Sequence, residues 1–519
     1  MWGWTSTLVS RFAVVLLMAA ALTACGGGGG SSTSDSPPAG TSPPPATQPD
    51  PDPDPDPDPE PNPEPRFSAA SLEGSYVYRS IGFSEQGPFL NLGHFTADGA
   101  GGISGRQENV EGAGLLGPIP FEGTYTVDED GVGTASLIYN LDGESFNITV
   151  AIVVAGSEGG AILDREDDQV FLGEFLRQRG PLGNDRFSGR HVFSLTGNNQ
   201  RAIGRLEFDG AGNVTGGDRD LSDNGFITLD VVVTGGNYQT DPQTGRTAVR
   251  VTTADGSSDF VVYPISPERA FVMATDLQAF ARGDLWTQAN TPLESSAVSG
   301  PYIFVTTGAA SGGNLTSLGR FQSDGAGSLS DGRIHLDEPA GFLDDEPLSG
   351  SYVLNAQGVG DAVLEFAGEA SNYGVRVIDA ERLVYLQTDA GSLVSGVARR
   401  QQDKDFSNAD FQSDYVFASD RLTADALTFG TGVLSADGGG VLELSGFGSR
   451  FQDFVGFSQP GIAASGTYVT RADGRGTASL PGLSDQFRYY HVDDETIVMI
   501  ALDPNESQSI GLVRQADGM

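Results

Sequence analysis

The sequence predicts an all-β protein: four tandem repeats, each an antiparallel eight-stranded meander closing into a barrel, behind a disordered N-terminal tether. Three observations carry that reading. The tetrad Asp98-Gly99-Ala100-Gly101 returns as Asp209-Gly210-Ala211-Gly212, as Asp324-Gly325-Ala326-Gly327 and, altered, as Asp437-Gly438-Gly439-Gly440, at spacings of 111, 115 and 113 residues. Each copy follows an alternating apolar run, where an Asp-Gly pair makes a tight hairpin because Gly reaches positive φ without a Cβ clash. No helical period of ten or more residues occurs after residue 66. Gly at 72 of 519 residues is about double the usual share, yet 38% of the chain is hydrophobic, which fits turn-rich β structure rather than disorder.

The N-terminus is different in kind. Behind Arg11, an apolar stretch running to Ala24 is too short for a comfortable membrane span and reads as a signal peptide over residues 1–24. Its end, Leu22-Thr23-Ala24-Cys25, resembles the bacterial lipobox. That resemblance implies cleavage before Cys25, its acylation, and a membrane anchor; Gly26 in place of Asp implies the outer membrane, facing either the periplasm or the cell surface. Two or three acyl chains at about 0.8 kcal/mol per buried methylene make a stable anchor. Residues 25–66 then form a linker, in which 49–65 alternate Pro with Asp, Glu or Asn. Such a tract favours an extended polyproline II spacer of roughly 50 Å. Cys25 is the only cysteine, so neither an intramolecular disulfide nor a cysteine metal cluster is available.

The repeats divide as 67–180, 181–290, 291–404 and 405–519. In the first, strand-like runs cover Gly74 to Phe83, Phe89 to Ala97, Gly102 to Asn109, Phe121 to Asp128, Val132 to Asn140, Ser145 to Val154, Gly160 to Asp164 and Gln169 to Gln178. Each repeat opens on bulky side chains two apart (Tyr76 and Tyr78, His191 and Phe193, Tyr302 and Phe304, Tyr415 and Phe417), which share one strand face and predict the core. A Gly-x-Tyr run ending in Tyr125, Tyr238, Tyr352 or Tyr468 recurs. Behind it come Asp130-Gly131, Gln357-Gly358 and Asp473-Gly474, with only Thr244-Gly245 in the second copy. Each repeat closes on a Gly and a Gln, the latter being Gln178, Gln288, Gln401 and Gln515. The strand order and the Gly-x-Tyr run look like those of avidin and lipocalin barrels; neither family's ligand residues are present, so the likeness implies fold and no function. A β-sandwich of the same strands is the alternative.

Function is less legible. A formal net charge of −40 excludes nucleic acid as a partner. His94, His191, His335 and His491 fall at non-equivalent places, which argues against a repeated site, and no hydrolase or nucleotide motif occurs. No metal or cofactor is expected: the acidic stretches Asp128-Glu129-Asp130 and Asp344-Asp345-Glu346 lack the order that calcium loops require. Asp98, Gly99, Asp209, Gly210, Asp324, Gly325, Asp437 and Gly438 read as turn formers, with no catalytic residue among them. The segments that differ most between copies, Glu108 to Pro120, Leu221 to Thr228, Leu336 to Pro347 and Gly446 to Pro460, are expected to be long loops. Phe226, Phe451, Phe454 and Phe457 on them are the candidate contacts for an envelope or extracellular ligand. The expected function is a non-enzymatic binding or scaffold protein, its barrels strung on a stalk; a hydrolase with paired carboxylates and a purely structural stalk are the alternatives.

Overall fold

The computed structural model describes residues 66–515 apart from 113, 142, 276–279, 311–312, 339–340, 424–426, 453–454, 482 and 504–505. Cys25, the lipobox-like segment and most of the linker lie outside the described residues. In the first repeat the strands are Gly74–Ser84, Gly87–Ala97, Gly102–Glu111, Gly114–Val127, Val132–Leu141, Glu144–Val154, Gly159–Asp164 and Gln169–Arg177. Each pairs antiparallel with the next, and the first returns to the eighth in the register Tyr76↔Arg177, Tyr78↔Phe175. That closing pair rules out the sandwich. The second (Ser188–Gly197 to Ala281–Thr287), third (Ser299–Ala310 to Leu393–Arg400) and fourth (Gln412–Thr423 to Glu506–Arg514) repeats close in the same way.

The expected long loops are instead strand. Gly102–Glu111 pairs with Gly114–Val127 to its tip, slipping register between Gln107 and Asn109, and equivalent slips fall at Arg219/Leu221, Ile334/Leu336 and Gly446/Gly448. Bulges of this kind let Gly- and Pro-containing stretches stay in a ladder, so a composition that reads as loop forms a long hairpin arm.

One end of each barrel is plugged by a short 3₁₀ turn: Ala69–Leu72, Asn184–Arg186, Ser295–Ala297 and Asn408–Asp410. The recurrent Gly-x-Tyr hydroxyl donates to the plug: Tyr125 to the Ala69 carbonyl at 2.9 Å, Tyr238 to Phe187 at 2.8 Å, Tyr352 to Val298 at 2.8 Å, and Tyr468 to Phe411 at 2.6 Å. Phe67, Phe187, Leu293 and Phe411 are thereby buried over the core.

The barrels are not separate beads. The fifth strand of the first barrel, Val132–Leu141, alternates buried and exposed residues, whereas its first strand, Gly74–Ser84, carries buried apolar side chains on both faces. Its outward Val77, with Leu90, Leu92 and Val110, packs on Val261, Tyr263 and Phe271 of the second barrel. Val192 and Ile203 meet Ile378 and Val384 of the third, and Ile303 and Leu318 meet Tyr490 and Ile500 of the fourth. Val416 and Val433 of the fourth then meet Val153 and Ala161 of the first. Four seams therefore close a ring.

The closing glutamines lock it. Gln178 Nε2 donates to the Thr244 and Pro264 carbonyls (3.1 and 2.9 Å), Gln288 to Gln357 and Val377 (3.0 and 2.7 Å), and Gln401 to Asp473 and His491 (3.0 and 2.8 Å). Gln515, the last described residue, donates to Asp130 and Val154 of the first barrel at 3.0 and 2.7 Å. The turn glycines Gly131, Gly245 and Gly474, at φ 82°, 75° and 81°, are needed twice over: a Cβ there would meet the incoming amide as well as strain the backbone. Plugged ends meet plugged ends at these contacts, and at the opposite ends a hairpin tip of the second barrel meets one of the third, in the Gly391 N–H to Gly225 carbonyl bond of 2.9 Å. The ring thus has a plugged face and an open face.

A buried carbonyl left without its donor costs about 1–3 kcal/mol. Gln515→Ala is expected to lower unfolding stability by about 2–4 kcal/mol and to speed amide exchange at residues 128–132 and 152–156. Denaturant titration with hydrogen-exchange mass spectrometry checks both; an unchanged midpoint with unchanged exchange would show that the ring is not fastened there.

Candidate functional site

A barrel can bind within itself or at its rim. Here the interiors are occupied. Tyr76 stacks on Phe95 (centroids 5.1 Å apart), His191 meets Phe208 edge-on at 5.1 Å, Tyr302 stacks on Phe321 at 5.6 Å, and Phe411 meets Tyr415 at 5.1 Å. The third barrel keeps a void of about 50 Å³ among Phe304, Tyr352, Tyr373 and Tyr385. Ligand pockets run to roughly 300–1,000 Å³, so this void is a packing defect rather than a ligand chamber. In the first barrel a polar chain crosses the core: Tyr78 and Tyr139 donate to Gln107 Oε1, while Gln107 and Asn109 donate to Asn91 Oδ1.

The turn carboxylates are committed to the backbone. Asp98 Oδ1 accepts the N–H of Ala100 and of Gly102, both at 2.8 Å; Asp209, Asp324 and Asp437 repeat the pattern with residues two and four further on. Hydrogen bonds from Asn213 and Ala211 hold the Asp209 carboxyl down at about 2. Gly99, Gly210, Gly325 and Gly438 lie at φ 71–75°. Of the candidate aromatics, Phe226 stands 79% exposed at a hairpin tip and Phe457 48% exposed. Phe451 instead packs on Phe83 of the first barrel, centroids 6.0 Å apart, and so belongs to a seam. Phe454 lies outside the described residues.

Acidic residues of the third barrel's hairpin arm serve another seam. Arg488 grips Asp344 with Nε at 2.8 Å and Nη2 at 2.6 Å, Arg475 pairs with Asp345, and His335 Nδ1 lies 2.8 Å from Asp344. Among the described residues no group of three or more His, Cys, Asp or Glu is placed to hold a metal ion. His191 and His491, by contrast, are packing groups. Burial pushes His191 and His491 down to about 4, and both stand among aromatic rings.

Sequence reasoning missed the buried charges. Glu108, fully buried, accepts from Tyr263 at 2.9 Å and pairs with Arg246 across the first seam. Arg376, 1% exposed, pairs with Asp218 (2.8 Å) and Asp220 (2.9 Å) across the second. Arg79 bridges Glu174 of its own barrel and Asp284 of the next, at 2.6 and 2.9 Å. Burial alone would raise the Asp284 carboxyl; Arg269 and Arg79 outweigh it and hold it at about 2. No single copy signals the pairs that cross a seam, Glu108 with Arg246, Arg376 with Asp218 and Asp220, and Arg79 with Asp284, because their partners lie in different repeats.

One buried acid has no such partner. Asp164 is fully buried and, among the described residues, pairs with no basic side chain. Burial pushes it up to about 8, the nearby Glu166 N–H opposing and the Glu166 charge adding. It is therefore protonated at neutral pH, a carboxyl kept in a core rather than a base in a cleft.

A scan against protein-family models finds no match, and a search of curated proteins finds no similar chain. The architecture, four closed eight-stranded antiparallel barrels, is consistent with a lipocalin- or avidin-like fold and with a structural or binding protein.

Because the folded value of Asp164 lies above the ordinary carboxylate value near 4, its contribution to stability is full below pH 4 and is lost as pH rises through about 8. Asp164→Asn is expected to remove that loss. Urea midpoints at pH 5 and pH 9 check it: the variant should gain on the parent at pH 9 only, and equal shifts at both would overturn the assignment.

Proposed function

We propose that the chain is a lipid-anchored protein of the bacterial cell envelope whose ring of barrels is a non-enzymatic scaffold, presenting hairpin tips to an envelope or extracellular partner. The observation that carries this reading is the fourfold glutamine lock. Fastening each barrel to the next at two carbonyls, and the last to the first, gives a head whose parts hold fixed relative positions, which suits presentation better than turnover. Filled interiors support a scaffold over a ligand carrier. The described chain begins at Arg66, which pairs with Asp414 and donates to the Gln515 carbonyl at 3.0 Å on the plugged face. The open face, with its varied tips, is thus the one furthest from where the linker joins. The lipobox-like Leu22-Thr23-Ala24-Cys25 and the Pro-rich tract support anchoring in the outer membrane through Cys25.

The test is full-length expression in a Gram-negative host with metabolic fatty-acid labelling and membrane flotation. The parent should carry label and float, and Cys25→Ser should lose both while keeping the same thermal midpoint. A variant that still floats, or a parent without label, overturns the anchor.

A further inference from the structure

At three seams a hairpin tip from one barrel lies directly on the next. Gly225 meets Gly391, Asp344 meets Arg488, and Ser458 accepts from Arg165 Nε at 3.2 Å. The seam between the first and second barrels is made lower down, by Glu108 with Arg246 and Tyr263. On the open face above it a cleft of about 290 Å³ remains, close to the lower end of ligand-site volumes.

Its chemistry is specific. Gln86 of the first barrel faces Asn198, Asn199, Gln200 and Asn224 of the second, five carboxamides that each offer donors and an acceptor. Glu111 and Asp223 add two carboxylates, and Phe280 with Val110 gives an apolar floor. Among the described residues that line it there is no Lys or Arg to pair with an anion, in a chain of net charge −40. The walls are held in place. Asn224 N–H donates to the Asn199 carbonyl at 2.7 Å with its backbone left-handed at φ 50°, and its side chain donates to Asp223 at 2.8 Å. Ser84 Oγ, 3.0 Å from both Gln86 Oε1 and Glu111 Oε1, tethers the opposite wall. Preset polar groups lose little freedom when a ligand arrives.

From this arrangement we infer that the cleft is a saccharide-binding site, taking a short neutral sugar whose hydroxyls pair with the carboxamides while a C–H face rests on Phe280. A sugar is the ligand class that presents many hydroxyls of both donor and acceptor character together with an apolar face and no charge. The inference stands on the cleft alone and holds whether or not Cys25 is acylated.

Gly112 lines the cleft, its backbone is not left-handed, and a Cβ there meets nothing within 4 Å, so a side chain can be built into the space from it. The experiment is saturation-transfer NMR and calorimetry on the full chain with maltotriose, cellotriose and tri-N-acetylchitotriose at millimolar concentration. At least one should bind, Gly112→Trp should weaken it by more than about tenfold, and Asn199→Ala by about three- to tenfold, with unchanged thermal midpoints. Should the tryptophan variant fail to fold, Asn199→Ala decides. No binding by any of the three, equal binding by the folded variants, or displacement of the sugar by triglycine, which would reassign the cleft to peptide, overturns the inference.

Discussion

A carboxamide held between two backbone carbonyls of the following repeat is the contact from which the architecture follows. Both acceptors are carbonyls, so the amide has only one useful orientation, with Nε2 inward. The two carbonyls belong to a turn and to the end of a strand, Asp130 and Val154 in the first barrel. Meeting both fixes distance and rotation together. Once the plugged ends are joined in this way, the outward faces of the first strands have to meet the next barrel, and the residues on those faces are accordingly apolar: Val77, Val192, Ile303 and Val416.

Electrostatics follows the same plan. A chain with 69 acidic and 29 basic side chains repels itself as it folds. Several of its scarce arginines stand where barrels meet: Arg246 against Glu108, Arg376 against Asp218 and Asp220, Arg488 against Asp344. Buried pairs gain little over apolar packing, but removing one partner is costly. Their larger effect is to make each seam particular, since Arg376 has no use for a surface that lacks Asp218.

Much of the fold was legible because its signals are local. The Asp-Gly tetrads mark turns through hydrogen bonds that span four residues, as from Asp98 to Gly102, and paired aromatics such as Tyr302 and Phe304 mark the inner face. The hairpin arms were expected to be loops because they differ between copies, while the ladder absorbs Gly117 and Pro118 at a bulge and pairs Pro347 with Arg333. The ring itself was out of reach: Gln515 and Asp130 are 385 residues apart, and no local pattern says which glutamine meets which turn. A signal for it did exist. Runs such as Val150-Ala151-Ile152-Val153-Val154 are buried without alternation, which a strand needs only when both of its faces are covered. The candidate aromatics divided for a related reason: an exposed tip and a covered one look alike in sequence, and only the neighbouring barrel separates Phe226 from Phe451.

The four seams are head-to-tail, each using one surface of a unit against a different surface of its neighbour. A heterologous contact that returns to its start after four steps is the geometry of a cyclic homotetramer. One unit of this kind, made as a free subunit, carries on itself both halves of the joint it needs to assemble with its own copies. Fusing the copies into one polypeptide sets their stoichiometry and frees every protomer-equivalent to change alone. His191 could then replace a tyrosine in one unit, and one joint of four could be left ajar.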